Sequence, residues 1–166
     1  MLHSPLIVVM GVSGAGKSVI GSLLAEHLAV PFADADDLHP PSNVRAMAAG
    51  RPLTDDDRWP WLDAVGDALA GASTSGLVMA CSALKRSYRD AIRAKAPDAR
   101  FVYLEGPPEL LRERIGARTG HFMPAALLDS QLAALEPLAP VEPGMTVSID
   151  QTPIEIVAQI AGRLGH

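Results

Sequence analysis

Cysteine is nearly absent from this chain, and long apolar runs and an excess of positive charge are absent altogether. Cys81 is the only cysteine among 166 residues, so no disulfide can form within the chain, which is consistent with a reducing cytosol. The net charge of -5 argues against nucleic acid and anionic membranes as partners, because both attract basic surfaces.

The first apolar run, "PLIVVM", is far shorter than the roughly 18 residues that a membrane-spanning helix needs. We expect it to form a buried strand and to be neither a signal peptide nor a membrane anchor. The sequence has no internal repeat, low-complexity tract or linker. With 48% hydrophobic and 20% charged residues, the composition predicts a single folded domain over residues 1–166.

Short apolar segments alternate with segments of helical periodicity along the chain. Strands are predicted at 5–10, 30–34, 76–81, 100–106 and 145–150. Helices are predicted from Lys17 onward, near 43–49 and 60–71, and over 84–95, 107–118, 125–135 and 153–164. This alternation predicts an α/β fold with a five-stranded parallel sheet flanked by helices on both faces.

The stretch "GVSGAGKS", Gly11 to Ser18, matches the phosphate-binding P-loop pattern G-x-x-x-x-G-K-[ST] between a predicted strand and a predicted helix. Its glycines let backbone N–H groups turn inward around a phosphate. Lys17 is expected to reach the β- and γ-phosphates, and the Ser18 hydroxyl to bind Mg²⁺. The motif alone also fits a GTPase or an ATPase motor, but this length favours a small-molecule kinase.

The segment "RERIGARTGHF" places Arg114 and Arg118 on one helix face. Phosphoryl transfer needs positive charge around the transferring group and exclusion of water. A mobile lid over roughly 112–137 would supply both, with Gly116 and Gly120 allowing it to move. The alternative interpretation is an ordinary solvated helix face.

Polar and basic residues follow the predicted strand at 76–81, in "CSALKRSYRD". Ligands of open α/β sheets bind outside the carboxyl ends of strands. Ser82, Lys85 and Arg86 are therefore candidates for binding an anionic acceptor. The alternative is that Ser82 caps a basic surface helix.

The stretch "DADDLHPPSN" follows another predicted strand. Asp34 and Asp36 would face the same way in an extended chain. One carboxylate would lie on the Mg²⁺ side, and the other would accept the proton of an attacking hydroxyl. Helix capping is the expected role of Asp37, and His39 would donate to a substrate oxygen or end the turn. The alternatives are a metal site with His39 as a ligand and a solvated loop.

The three aspartates of "PLTDDDRWPWL" are expected to start a helix, because acidic residues complement the positive end of the helix dipole. Packing is favoured over substrate stacking for Trp59 and Trp61. Arg58 is the exception, since a guanidinium pairs with a carboxylate in bidentate geometry.

In order and spacing, "MGVSGAGKS", "DADDLHPPSN", "GRPLTDDDRWPWL", "CSALKRSYRD", "ARTGHF" and "SIDQTP" resemble the gluconate kinases of the P-loop small-molecule kinase group. The resemblance covers nearly the whole chain. It implies the fold of shikimate and adenylate kinases, with a lid. It also implies phosphorylation of D-gluconate by ATP with Mg²⁺, giving 6-phosphogluconate, in a cytoplasmic homodimer.

The resemblance also implies roles for individual residues. Lys17, Asp36, Arg114 and Arg118 are implied to be catalytic, with Asp36 as the base or the residue that orients the hydroxyl. The nucleotide side is implied to comprise Gly11, Gly14, Ala15, Gly16, Lys17, Ser18, Val19, Arg114, Asp150 and Pro153. Ser18 and Asp34 would hold Mg²⁺. The gluconate side is implied to comprise Asp36, His39, Arg45, Arg58, Ser82, Lys85, Arg86, His121 and Gln131.

One departure concerns the acceptor. Family members commonly have lysine in "NxxKM", whereas this chain has "NVRAM", with Arg45 before Ala46. The positive charge moves by about 100° around a helix. Arg45 must then reach around, or another basic residue must replace the lysine. A kinase of the same fold for another hydroxy acid, such as shikimate, and a non-catalytic nucleotide-binding regulator are the alternatives.

Overall fold

The structure is a computed structural model that describes residues 4–116 and 125–165. Its strands form one parallel sheet in the order β2-β3-β1-β4-β5. The strands are β1 Leu6–Met10, β2 Phe32–Asp34, β3 Leu77–Ala80, β4 Arg100–Glu105 and β5 Gly144–Ser148. The helices are α1 Lys17–Leu28, α2 Pro41–Ala48, α3 Asp55–Gly71, α4 Arg86–Lys95, α5 Pro108–Gly116, α6 Ala125–Ala134 and α7 Pro153–Arg163.

Both faces of the sheet are covered, which explains why its central strand is apolar at every position. Along β1, Val8 and Met10 pack into a core that includes side chains of α3 and α4. Ile7 and Val9 point the other way, into a core that includes side chains of α1 and α7. The predicted fold class, a five-stranded parallel sheet flanked by helices, is confirmed.

The carboxyl ends of β1, β2 and β3 lie at one edge of the sheet and position the candidate site. The P-loop follows β1, the acidic stretch follows β2, and the "CSALK" loop follows β3. Since β3 lies between β1 and β2, the three segments are neighbours. The backbone N–H of Gly11 donates to the carbonyl of Ser82 at 3.3 Å, which joins two of them.

Helix α3 begins at Asp55 and not near residue 60 as the sequence predicted. The reason is a capping box: the Thr54 hydroxyl accepts from the N–H of Asp57, and the Asp57 carboxylate accepts from the N–H of Thr54. These bonds start the helix more than one turn before Pro60, which the helix accommodates. The expected role of the aspartates in helix initiation is therefore met by Asp57.

Within residues 4–116 and 125–165, no helix has both the length and the apolar character needed to cross a membrane.

Candidate active site

The P-loop turns sharply between β1 and α1. Gly14 and Gly16 have φ angles of 85° and 91°, a left-handed conformation that favours glycine. At Gly14 a Cβ atom would also approach the carbonyl oxygen of Leu111 to 3.0 Å. Gly16 is the N-cap of α1, so the loop leads directly into the positive end of the helix dipole. The Lys17 ammonium donates to the carbonyl of Val12 at 3.0 Å.

Two oxygen ligands suited to Mg²⁺ meet beside the P-loop. The Ser18 hydroxyl donates to Oδ2 of Asp34 at 3.1 Å. Hydroxyl and carboxylate oxygens fit this hard cation, which usually binds one or two carboxylates together with substrate phosphates. The described part of the chain has no group of three or more His, Cys, Asp or Glu that could hold a metal by themselves.

The acidic stretch is a turn and not an extended segment. Asp34 ends β2, and residues Ala35–Leu38 form a short 3-10 helix. Oδ1 of Asp34 caps this helix by accepting from the N–H of Asp36 at 2.9 Å. The extended geometry assumed from the sequence was therefore wrong, and the capping role expected of Asp37 belongs to Asp34. The turn still keeps both carboxyl groups at the same sheet edge.

Asp36 has a pKa above the ordinary value of an aspartate. The residue is exposed as a whole, but protein atoms crowd its carboxyl group, and this partial burial is the largest cause of the rise. The charge of Asp34 raises the pKa further, while Lys17 opposes the rise. An aspartate with a raised pKa binds a proton more readily than an ordinary one, which suits a group that accepts a proton from a hydroxyl.

His39 is half-buried and held in place on two sides. Its ring stacks on Trp61, with centroids 4.2 Å apart and planes 14° apart. Trp61 in turn donates from Nε1 to the carbonyl of Ala35 at 2.7 Å. Burial lowers the pKa of His39 below its ordinary value. Trp61 therefore has a packing role, as predicted, and the ring that it packs against is that of His39, a candidate substrate residue.

Two candidate acceptor cations gather around a carboxylate that the sequence interpretation assigned only to helix initiation. Lys85 Nζ donates to Oδ1 of Asp55 at 3.2 Å. Arg58 Nη1 donates to the Tyr88 hydroxyl at 3.3 Å and lies 4.0 Å from Oδ1 of Asp55. Arg58 and Lys85, 27 positions apart by number, thus come together at the start of α3 and α4, beside the "CSALK" loop.

A cavity of about 280 Å³ opens beside the P-loop. Its lining residues are Gly14, Ala15, Gly16, Val19, Ile20, Arg114, Gln151, Pro153 and Ile156. Nη2 of Arg114 donates to the carbonyl of Ile149 at 2.8 Å, which holds the guanidinium at the cavity wall. The cavity is therefore next to the P-loop and brings together most of the residues predicted for the nucleotide side.

Comparison with known proteins adds the family. The Shikimate kinase family matches residues 13–138. The gluconokinase of Gluconobacter oxydans (strain 621H) is 44% identical over 161 residues, covering 96% of this chain and 90% of that protein. A crystal structure of a gluconokinase from Sinorhizobium meliloti 1021 has 51% identity and a TM-score of 0.88, covering 96% of this chain and 93% of that one.

The chain belongs to the gluconokinase family. The thermoresistant gluconokinase of Escherichia coli (strain K12) is also 44% identical, over 90% of this chain and 87% of that protein. A shikimate kinase from Bacteroides thetaiotaomicron, at 17% identity and a TM-score of 0.70, shares the fold. The predicted membership of the P-loop kinase group is thereby confirmed.

In this gluconokinase family member, several predicted site residues lie at exposed positions. Arg45 is exposed on α2, and Arg86 is exposed, with its backbone N–H bonded to Glu136. Asp150 is exposed beside the nucleotide cavity but does not line it. Their roles stay predictions. Arg118 and His121 lie outside the described residues.

Gln131, predicted for the gluconate side, contacts the P-loop, and its contact with the acceptor stays a prediction. Its side-chain oxygen accepts from the backbone N–H of Ser13, in the P-loop, at 2.7 Å. Helix α6 of this gluconokinase family member therefore contacts the loop that is expected to hold phosphate.

Four residues near these clusters were missed as site components: Asn43, Asp55, Tyr88 and Gln151. The repeated aspartate and tyrosine of the family patterns "PLxDxDRxPWL" and "CSALKxxYRD" were the available signal for Asp55 and Tyr88. For Asn43, the signal was the asparagine of "DxDxLHPxxN".

Proposed function

We propose that this chain transfers the γ-phosphoryl group of ATP to the 6-hydroxyl of D-gluconate, with Mg²⁺, giving ADP and 6-phosphogluconate. The observation that supports it most is the position of Asp36, which lies at one sheet edge with the P-loop beside it and the Arg58–Lys85 cation pair on the "CSALK" side. The gluconokinase relatives, which cover almost the entire chain, support the choice of acceptor.

The nucleotide binds with its phosphates in the P-loop and its base in the cavity lined by Gln151 and Pro153. The backbone N–H groups of the loop and the start of α1 hold the phosphates. Lys17 places positive charge on the β- and γ-phosphates, and Arg114 extends from α5 toward the same cavity. Ser18 and Asp34 would hold Mg²⁺, which would supply further positive charge to stabilise the transferring group.

Asp36 directs the acceptor. Its carboxylate accepts a hydrogen bond from the 6-hydroxyl and orients the oxygen toward the γ-phosphorus. As the new oxygen–phosphorus bond forms, the bond from the γ-phosphorus to the bridging oxygen of ADP breaks. The proton of the hydroxyl passes to Asp36. Its raised pKa favours this transfer.

The rest of the acceptor needs one cation and several polar partners. Lys85 and Arg58 both lie against Asp55 on the acceptor side, and we assign them to the gluconate carboxylate. His39 and Ser82 bind hydroxyl groups. The cytoplasmic location and the homodimer stay predictions from the family resemblance.

The proposal is tested by measuring ADP release from MgATP with D-gluconate, and by locating the phosphate in the product by phosphorus NMR. We expect turnover that depends on gluconate and gives the 6-phosphate. Lys17→Ala should reduce turnover by orders of magnitude.

Asp36→Asn shows whether that carboxylate acts as the base or as a metal-side residue. We expect kcat to fall by about 10²–10⁴-fold, the range for loss of a general base, while ATP affinity stays close to normal. If only ATP affinity falls, Asp36 is the metal-side residue and Asp34 the base. Near-normal turnover of Lys17→Ala would contradict the phosphate role of the loop.

A further inference from the structure

A buried asparagine lies between His39 and the start of α3. Asn43, on α2, is only 3% exposed. Its side-chain nitrogen is 2.8 Å from the carbonyl oxygen of Asp57 and 3.2 Å from Nδ1 of His39. Neither contact was expected from the sequence. Together they fix the hydrogen positions on the histidine ring.

The carbonyl of Asp57 determines how the Asn43 amide is turned. A backbone carbonyl only accepts hydrogen bonds, so the amide atom that faces it must be the nitrogen and not the oxygen. That nitrogen has two hydrogens and no acceptor capacity. Since the same nitrogen also faces Nδ1 of His39, Nδ1 must be the acceptor.

The proton of the His39 ring therefore lies on Nε2. In a neutral imidazole, one nitrogen accepts and the other donates. In the charged imidazolium both nitrogens donate, so an N–H at Nδ1 would point at the N–H of Asn43 and the contact would become repulsive. The contact with Asn43 is compatible only with the neutral ring that has its proton on Nε2.

We propose that Asn43 is a positioning residue that holds His39 as the neutral Nε2–H tautomer, so that His39 is a fixed hydrogen-bond donor to a hydroxyl oxygen of the acceptor. The choice of acceptor rests on the proposed function, but the tautomer does not. Among the described residues, no atom accepts a hydrogen bond from Nε2 of His39, which leaves this donor for a ligand.

Neighbouring groups prevent the ring from escaping this state. Stacking on Trp61 fixes the plane of the ring. A rotation of the ring by about 180° around its Cβ–Cγ bond would keep that plane but put a carbon in the place of Nδ1. An N–H of the buried Asn43 would then lose its partner. Trp61 is itself fixed through Ala35, the residue between Asp34 and Asp36. The histidine donor is thus held in a constant relation to the aspartate turn.

The charges around His39 are consistent with a neutral ring. From the 3-10 helix, Asp36 favours the charged form, and from α3, Arg58 disfavours it. Burial opposes the charged form more strongly than either, and the pKa falls below its ordinary value. From α2, Asn43 contributes no charge, only two N–H groups.

The first test is the tautomer in the wild-type protein. Nitrogen-detected NMR correlates the ring protons with both ring nitrogens, and the His39 signals are assigned by their loss in His39→Gln. At pH 7 without ligand, we expect a protonated Nε2 and an unprotonated Nδ1. A proton on Nδ1, or on both nitrogens, would overturn the proposal. This measurement needs no folded variant at Asn43 and no acceptor.

The second test is Asn43→Asp, which keeps the shape but replaces the N–H donors by a carboxylate. We expect the proton to move to Nδ1 and the pKa of His39 to rise. The KM for the acceptor should rise about tenfold, while the KM for ATP stays unchanged. Ser42→Asp is the matched control, because it adds the same charge at an exposed neighbouring position of α2 and should change neither the tautomer nor the KM.

The positioning role would also be overturned if the wild-type ring has its proton on Nε2 but folded Asn43→Asp has an unchanged KM for the acceptor. If Asn43→Asp does not fold, His39→Gln and His39→Asn replace it. A glutamine nitrogen lies near the Nε2 position and an asparagine nitrogen near the Nδ1 position, so His39→Gln should keep at least several-fold more kcat/KM than His39→Asn. Equal losses would contradict a donor at Nε2.

Discussion

The Tyr88 hydroxyl donates to Oδ1 of Asp55 across a distance of 2.5 Å, joining α4 to the first residue of α3. The same carboxylate accepts from Lys85. The hydrogen bond from Tyr88, followed by that from Lys85, keeps the pKa of Asp55 below its ordinary value. Asp55 is therefore an anion that holds a candidate acceptor cation in place.

Removal of the Tyr88 hydroxyl should weaken acceptor binding. In Tyr88→Phe, Asp55 and Lys85 lose the contact that orients them, and we expect the KM for gluconate to rise about fivefold, equivalent to ~1 kcal/mol. The KM for ATP should not change. Tyr103→Phe is the matched control, since it removes the hydroxyl of the other tyrosine, on β4. Steady-state kinetics decide, and equal effects of the two variants would refute the positioning role of Tyr88.

Gln131 and the P-loop give a prediction that separates two roles for one residue. If ATP must break the hydrogen bond from the Ser13 N–H to the side-chain oxygen of Gln131 in order to bind, that bond competes with ATP. Gln131→Ala should then lower the Kd for ATP by about threefold to tenfold, as expected for one hydrogen bond of ~1 kcal/mol. If Gln131 contacts the acceptor, as the sequence predicted, the KM for gluconate should rise instead. Titration calorimetry with ATP and kinetics with gluconate distinguish the two.

A buried ion pair, Arg89–Glu142, fastens the segment after α6 to the "CSALK" loop. Nε of Arg89 donates to Oε1 of Glu142 at 2.7 Å, and the two side chains are 0% and 2% exposed. Nη1 of Arg89 also donates to the carbonyl of Ala83 at 2.9 Å. We expect Glu142→Gln to lower the free energy of unfolding by about 3 kcal/mol, because it leaves a buried guanidinium without its counter-charge.

Urea unfolding measures this change. Glu26→Gln, at an exposed position of α1, is the matched control and should shift the free energy by less than about 0.5 kcal/mol. A loss in Glu142→Gln no larger than that of the control would show that the pair contributes nothing to stability.

The same pair predicts how stability depends on pH. Burial alone would raise the pKa of Glu142, but the hydrogen bonds from Arg89 and from the N–H of Ala139 outweigh it, and the pKa is lowered. A lowered pKa means that the stabilisation is complete above the ordinary glutamate range and is lost as the pH falls through the lowered pKa. Wild-type stability should therefore decline more steeply than that of Glu142→Gln on acidification; parallel curves would contradict it.

Local patterns were enough to predict the sheet and the P-loop. The three inner strands β3, β1 and β4 have buried apolar interiors because the sheet is covered on both faces, and the P-loop is contiguous in the sequence. Contacts between distant positions were missed, because spacing does not encode them: Tyr88 and Asp55 are 33 positions apart, and Arg89 and Glu142 are 53 apart.

The acidic turn shows how a local rule also misled. Alternation in an extended chain placed Asp34 and Asp36 on one side, but the side chain of Asp34 bonds to the backbone N–H of Asp36 and ends the strand. Short polar side chains commonly compete in this way with strand and helix hydrogen bonding. The sequence therefore predicted the carboxylate pair but not the geometry that holds it.

The most direct test of the central claim is the kcat/KM of the purified chain with MgATP for D-gluconate, measured by ADP release beside shikimate and other small hydroxy acids. The account predicts that kcat/KM for gluconate exceeds that for every other acid by at least about 100-fold, because the wrong acceptor leaves buried polar groups of the site unpaired. Turnover of shikimate or another acid with none of gluconate would contradict it, and so would tight ATP binding with no turnover of any acceptor.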